Sequence, residues 1–178
     1  LAFVSGCASF STLHTATPVE KKEVEVNVAP GFWGASSDAG SGTIPQAEIA
    51  VRYGISDNID FGAKVFPIGL AADLNIALIN DENFAMSVDP YVSGVRFSSG
   101  DDSIFYGFAF ANVLFDVVKS ESMTLTLGAK PGYSFASATV EDDGAQASAA
   151  TSSFVVGGMG GIKMRLSDSF AIMPSVDV

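Results

Sequence analysis

Charged residues and long hydrophobic runs are both scarce in this chain. Asp, Glu, Lys and Arg make up 16% of its 178 residues, whereas ordinary soluble chains carry about 25%. The mean hydropathy is high, at +0.35, yet no uninterrupted apolar run approaches about 18 residues, so the sequence predicts no membrane-spanning helix. An apolar chain of this kind has either a large water-soluble core or membrane-spanning strands, whose signal per segment is much weaker.

Basic residues are few as well. The chain has 9 Lys and Arg residues against 20 Asp and Glu residues, which gives a formal net charge of −11. Because no basic patch is available to neutralise phosphate groups, nucleic acid is not expected as a partner. The length is that of a single domain.

Histidine and cysteine each occur once, as His14 and Cys7. A single cysteine excludes an intrachain disulfide, and one histidine with one cysteine cannot build a metal site of the His and Cys type. His14 also precedes the strand-forming part of the chain, so a Ser–His hydrolase within a barrel is not expected. The sequence therefore predicts no catalytic residue, no metal site, no cofactor and no enzymatic activity.

Alternation of apolar and polar residues is what the chain has in abundance. The alternating segments are Glu23–Gly34, Ile44–Gly54, Ile59–Pro67, Gly69–Ile79, Phe84–Ser93, Ile104–Phe115, Ser122–Phe135, Ser153–Leu166 and Phe170–Val178. A period of two at this density predicts strands, and their regular spacing predicts an all-β antiparallel sandwich or barrel without helices.

The connections between these segments alternate in length. The short ones are Ile55–Asn58, Asn80–Asn83, Val118–Glu121 and Ser167–Ser169, and the long ones are 36–43, 95–103 and 137–151. Short turns at one end and long loops at the other are typical of an up-and-down outer-membrane barrel, with the turns on the periplasmic side.

One face of each segment is apolar. Val51 and Phe61 lie on it, and in the segment Ile104–Phe115 we assign Phe108, Phe110 and Leu114 to the same side, with Asn112 as its one polar residue. A Lys or Arg at the midplane of a lipid-facing surface costs about 2–4 kcal/mol. The absence of charge on this side therefore predicts that it faces lipid.

The opposite face carries a predicted interior charge network. Its members are Glu25, Glu48, Arg52, Asp60, Lys64, Asp73, Asp89, Lys130, Lys163 and Arg165. Gly and Ala residues lie between them, as a narrow barrel requires because inward side chains converge on one axis. Buried charges need partners, so the mixed signs on this face predict ion pairs in the interior.

Five prolines recur in the loop-side half of the odd-numbered segments. They are Pro30, Pro67, Pro90, Pro131 and Pro174. Because proline cannot donate to a ladder, these positions predict either bulges or strand ends.

The chain begins LAFVSGCASF, and Val4-Ser5-Gly6-Cys7 resembles the lipobox of bacterial lipoprotein signals. From Cys7 onward the pattern resembles the small up-and-down outer-membrane β-barrels of Gram-negative bacteria, the OmpX/OmpA-like class. The two resemblances imply a signal-peptide remnant at 1–7, a periplasmic tether at 8–22 and a transmembrane β-barrel at 23–178. They also imply a diacylglycerol on Cys7, membrane lipid as partner and the outer membrane as location.

Nine strands are visible in the sequence, whereas bacterial single-chain barrels have an even number. The resemblance therefore implies ten or more strands in the full chain, with the barrel at 23–178 incomplete at its C-terminal end.

Three functions fit these features. The first is a structural or surface-recognition role without catalysis, in which acidic loops contact a ligand or protein that the sequence does not identify. The second is a narrow passive pore or transporter for ions or small solutes. The third is a soluble, lipocalin-like binding barrel with the charged face outside and an apolar cavity inside. For Cys7, a buried structural residue is the alternative to lipidation.

Overall fold

The computed structural model describes residues 11–37, 40–67, 69–99, 102–142, 145–167 and 169–178. Its strands are β1 (Val24–Ser37), β2 (Gly40–Ser56), β3 (Ile59–Phe66), β4 (Gly69–Asn80), β5 (Ala85–Ser99), β6 (Asp102–Lys119), β7 (Met123–Asp142), β8 (Ala145–Ser167), β9 (Phe170–Ile172) and β10 (Ser175–Asp177). The described residues contain no helix that could cross a membrane.

The strands form one sheet in which β1 to β8 pair antiparallel in sequence order. The predicted strand Phe170–Val178 is divided at Met173 and Pro174 into β9 and β10, which both pair with β8. Nine up-and-down strands, the last of them broken, thus make a strongly curled half-barrel. The predicted fold class, an all-β antiparallel up-and-down sheet with nine visible strands, is confirmed.

The sheet has a turn end and a loop end. The turn end carries the short connections after β2, β4, β6 and β8, and the loop end carries the tips of the other hairpins. Strands extend further toward the loop end than predicted, because β7 and β8 stay paired up to Asp142 and Ala145. Most of the predicted loop 137–151 is therefore strand. The sequence did not predict this, because the small residues of this region show little alternation of hydrophobicity.

The two faces of the sheet differ in exposure as predicted. On the convex face Val51 and Phe61 are 44% and 45% exposed, whereas on the concave face Glu48 and Lys64 are 1% and 5% exposed. The burial pattern of β3 alternates along its whole length. The ionic face is enclosed, which is the reverse of a soluble barrel with an apolar cavity.

β6 is turned opposite to the prediction. Phe108, Phe110 and Leu114 are buried on the concave face, whereas Ala109 and Ala111 lie exposed on the convex face. The outward assignment of this strand was wrong, because both of its faces are apolar and alternation alone could not choose between them.

The polar residue of β6 shows which way the strand faces. Asn112 is buried, and its amide donates to Asp89 on the concave side at 2.8 Å. Because a buried amide needs a partner, Asn112 belongs with the interior charges. Its presence on the supposed lipid face was the available signal of the inverted assignment.

The glycines of β7 make room for the large side chains of β6. Gly132 pairs with Phe110, and Gly128 pairs with Leu114. A Cβ on these glycines would lie 2.5 Å and 2.7 Å, respectively, from the two side chains. Leu114 packs with Ala16, Ala85 and Met159, whereas Phe110 belongs to an apolar layer on the loop-end side of the interior. The layer consists of Phe66, Ala71, Tyr91, Val95, Phe108 and Phe110.

Two of the strand prolines interrupt a ladder on one side only. The β4–β5 ladder breaks beside Pro90, and the β6–β7 ladder breaks beside Pro131. On the other side of each proline the ladder is continuous, because a missing N–H affects only the neighbour that it would face. Pro30 lies on the edge strand β1, whose ladder with β2 is also continuous.

The orientation of β6 can be tested with a matched pair of variants. Phe110→Ala is expected to lower the free energy of unfolding by about 3–5 kcal/mol, because it empties a buried site. Phe154→Ala removes the same side chain from a convex position that is 61% exposed, and we expect a much smaller loss. Denaturant unfolding in detergent micelles measures both, and equal losses would contradict the inward orientation.

Candidate functional site

Arg52 is the centre of the interior charges. Its guanidinium forms ion pairs with Asp60 and with Asp73, the latter at 2.6 Å between Nη1 and Oδ1. Its Nε donates to Asp60 at 2.8 Å. The three side chains come from β2, β3 and β4 and are almost wholly buried. Two carboxylates around one guanidinium compensate for its lost hydration.

Gly62 makes this arrangement possible. It pairs with Arg52 on one side and with Asp73 on the other, so it lies between the two ionic side chains. A Cβ on Gly62 would come within 2.6 Å of both the guanidinium and the Asp73 carboxylate. The small residues expected on the inner face therefore include one that leaves space for an ion pair.

Two further buried ion pairs each contain at least one predicted member of the network. Lys64 Nζ lies 3.2 Å from Glu48 Oε2, and Lys130 Nζ lies 2.6 Å from Asp177 Oδ1. Asp177 was not among the predicted members, although it follows the inward parity of the last strand. The Lys64–Glu48 pair lies further toward the loop end than Arg52, because Lys64 is near the end of β3.

Lys163 on β8 and Glu25 on β1 meet across the open side of the sheet, with Nζ and Oε2 2.6 Å apart. No ladder joins β1 to the last strand in the described part of the chain, so this half-buried pair bridges the gap. Arg165, also predicted as a member, is exposed near the turn end and takes part in none of the ion pairs found among the described residues.

The structure adds a buried carboxylate, Asp116, that the prediction missed. It accepts hydrogen bonds from the backbone N–H groups of Ala16 and Thr17 at 3.0 and 2.9 Å. It also accepts from the hydroxyls of Thr17 and Thr126, both at 2.7 Å. These four donors stabilise the carboxylate, and none of them is a cation. The prediction missed it because the predicted strand ended one residue earlier and its faces were inverted.

Residues 11–20 lie inside the curled sheet. Thr12, His14 and Ala16 are buried, and Val19 N–H donates to Asp60 at 2.9 Å. The interpretation of 8–22 as a periplasmic tether did not anticipate this placement, because a polar segment without a period has the composition of a solvated linker. Residues 8–10 and Cys7 lie outside the described residues.

His14 lies inside the curl between a cation and a carboxylate. Its Nδ1 is 2.9 Å from Arg52 Nη1, and its Nε2 is 3.5 Å from Asp89 Oδ2. Because a guanidinium can only donate, Nδ1 accepts, and in the neutral ring the proton is on Nε2, facing Asp89. His14 therefore connects Arg52 to Asp89, although it precedes the strands in sequence.

The ligand atoms of His14, Asp73 and Asp89 lie within 4.8 Å of one another, which is close enough to hold a metal ion. Arg52 already contacts two of these three residues. A metal on Nε2 would require that nitrogen to lose its proton while Nδ1 still accepts from Arg52, which leaves the ring without a proton. The cluster is therefore better described as part of the ion-pair network than as a metal centre.

No protein-family model, no curated protein and no solved structure matches this chain. The geometry defines the class: an all-β, β-barrel-like curled sheet whose concave side holds ion pairs, large side chains and the chain's own N-terminal segment.

Gly54 can test the placement of the N-terminal segment. In the variant Gly54→Ala, the new Cβ would overlap the backbone carbonyl of Glu20, which cannot rotate away as a side chain can. We expect displacement of the segment, faster amide hydrogen exchange at Val19 and a lower free energy of unfolding.

The matched control for this variant is Gly31→Ala, since a Cβ at Gly31 on β1 would meet no atom within 4 Å. We expect it to leave the exchange at Val19 unchanged. Identical exchange rates in the two variants would show that the segment does not lie against Gly54.

Proposed function

We propose that this protein is a lipid-anchored outer-membrane β-barrel with a filled, ion-paired interior and a structural or surface-recognition role without catalysis. The observation that carries the proposal is the combination of an exposed apolar face with a buried ionic one. On the convex face Val28, Leu70 and Val156 are 68%, 67% and 71% exposed.

The apolar surface extends over every strand from β1 to β8. Water-soluble monomers rarely expose a contiguous apolar patch of more than a few hundred Å², whereas a lipid-facing surface requires one. Arg96, which has the parity of the convex face, lies near the loop end of β5. That is where a charge would reach the headgroup region at the smallest cost.

The N-terminal motif and the open side of the sheet support the remaining parts of the proposal. The lipobox-like Val4-Ser5-Gly6-Cys7 supports a diacylglycerol anchor on Cys7. In the described part of the chain β1 has an unpaired edge, and the Lys163–Glu25 ion pair bridges it to β8, which supports a barrel-like closure of the sheet.

A charge on the convex face tests the membrane setting. Val51→Lys is expected to lower the free energy of unfolding in lipid vesicles by about 2–4 kcal/mol, because it places an ammonium group in hydrocarbon. Asp57→Lys, in the exposed turn between β2 and β3, is the control and is expected to be nearly neutral. If both variants unfold like the parent in vesicles and the protein stays monomeric without detergent, the membrane proposal fails.

The second candidate function is a narrow pore. It is favoured by a cleft of about 1570 Å³ on the concave side. Side chains of β1 and of the last strand line this cleft, and so do the interior side chains of Glu48, Phe110 and Lys130. The buried ion pairs and residues 11–20 argue against conduction, because they occupy part of the concave side and pair its charges.

Planar-bilayer recordings separate the two candidates. We expect no steady single-channel current from the full chain, because its interior cations and carboxylates are paired with one another or with the N-terminal segment. Steady currents that scale with the amount of inserted protein would favour the pore.

A further inference from the structure

The N-terminal segment runs lengthwise along the concave side. At the turn end, Lys22 N–H donates to Gly54 O at 2.8 Å, and Val19 contacts Asp60 near the start of β3. At the other extreme, Ser11 O accepts from Lys64 Nζ at 2.6 Å, and Lys64 is two residues from the loop-end terminus of β3 at Phe66. From residue 11 to residue 22, the segment therefore runs from the loop-end side toward the turn end.

The interior holds this segment mainly by its backbone. Asp60, Asp116 and Asp177 accept from backbone N–H groups, and Lys64 and Asn75 donate to backbone carbonyls. The segment is therefore bound to the interior by hydrogen bonds along its backbone. The chain reverses into β1 at Lys22, which has a positive φ of 70°.

We infer that the N-terminal segment is threaded through the curled sheet from the loop end to the turn end. Ser11 then lies on the loop-end side of Arg52, opposite to the turn end where β1 begins. Three residues, 8–10, lie between Cys7 and Ser11, and the four Cα–Cα steps between them span at most about 14 Å. An anchor on Cys7 would thus attach at the loop end, and not through a tether on the turn side.

The chain contains a natural pair of reporters for this path, one tryptophan and one cysteine. Trp33 lies on β1 nine residues beyond Val24, which places its backbone about 30 Å from the turn end of that strand. In full-length protein produced without lipidation, Cys7 can be labelled with a short-range acceptor of tryptophan emission. Threading predicts a large loss of Trp33 emission.

Two variants calibrate the measurement in a Cys7→Ser background. A label on Ser98→Cys, near the end of β5, reports the loop end, and a label on Asn83→Cys, in the β4–β5 turn, reports the turn end. We expect the Cys7 label to quench Trp33 as the Ser98→Cys label does. Quenching as weak as that from Asn83→Cys would overturn the inference, whether or not the protein resides in a membrane.

Asp116→Asn tests the backbone contacts independently. An amide offers one acceptor oxygen in place of two, so we expect faster hydrogen exchange at the Ala16 and Thr17 amides. Glu121→Gln, the same type of change in the exposed β6–β7 turn, is the control. Unchanged exchange at both amides in the folded Asp116→Asn protein would contradict the binding of the segment backbone to Asp116.

Discussion

The structure depends on keeping Arg52 neutralised where water is excluded. A guanidinium in this position is stable only with carboxylates in direct contact, and β3 and β4 each supply one. Because these partners come from neighbouring strands, the ion pairs fix the register of the sheet as well as the charge balance. A slip by one residue would turn Asp60 or Asp73 toward the convex face and leave the buried cation with one carboxylate fewer.

The buried side chains also need space on the concave side. Gly62 admits the Arg52–Asp73 pair, and Gly128 and Gly132 admit the large side chains of β6. Small residues on one strand thus lie beside large residues on the neighbouring strand and leave room for them. The interior consequently has ion pairs around Arg52, an apolar layer toward the loop end and a second apolar cluster around Leu114, although all of them arise from strands with the same alternating pattern.

The alternation of the sequence was sufficient to predict the strands and the facing of β2 and β3, because their two faces differ sharply in polarity. It failed at β6, where both faces are apolar and the choice depends on Asn112 and on the glycines of a neighbouring strand. Most predicted network residues lie in the interior, but their pairing could not be derived, since it depends on the register. Residues 11–20 were missed because their partners lie on distant strands.

Charge balance explains why the segment belongs in the interior. Among the described residues, the buried carboxylates on the concave face are Glu48, Asp60, Asp73, Asp89, Asp116 and Asp177, and the buried Lys and Arg residues are Arg52, Lys64 and Lys130. The carboxylates therefore outnumber these cations by three. Backbone N–H groups of the segment approach Asp60, Asp116 and Asp177, and His14 approaches Asp89. Since an unpartnered buried carboxylate is costly, the strands and the segment are expected to fold as one unit.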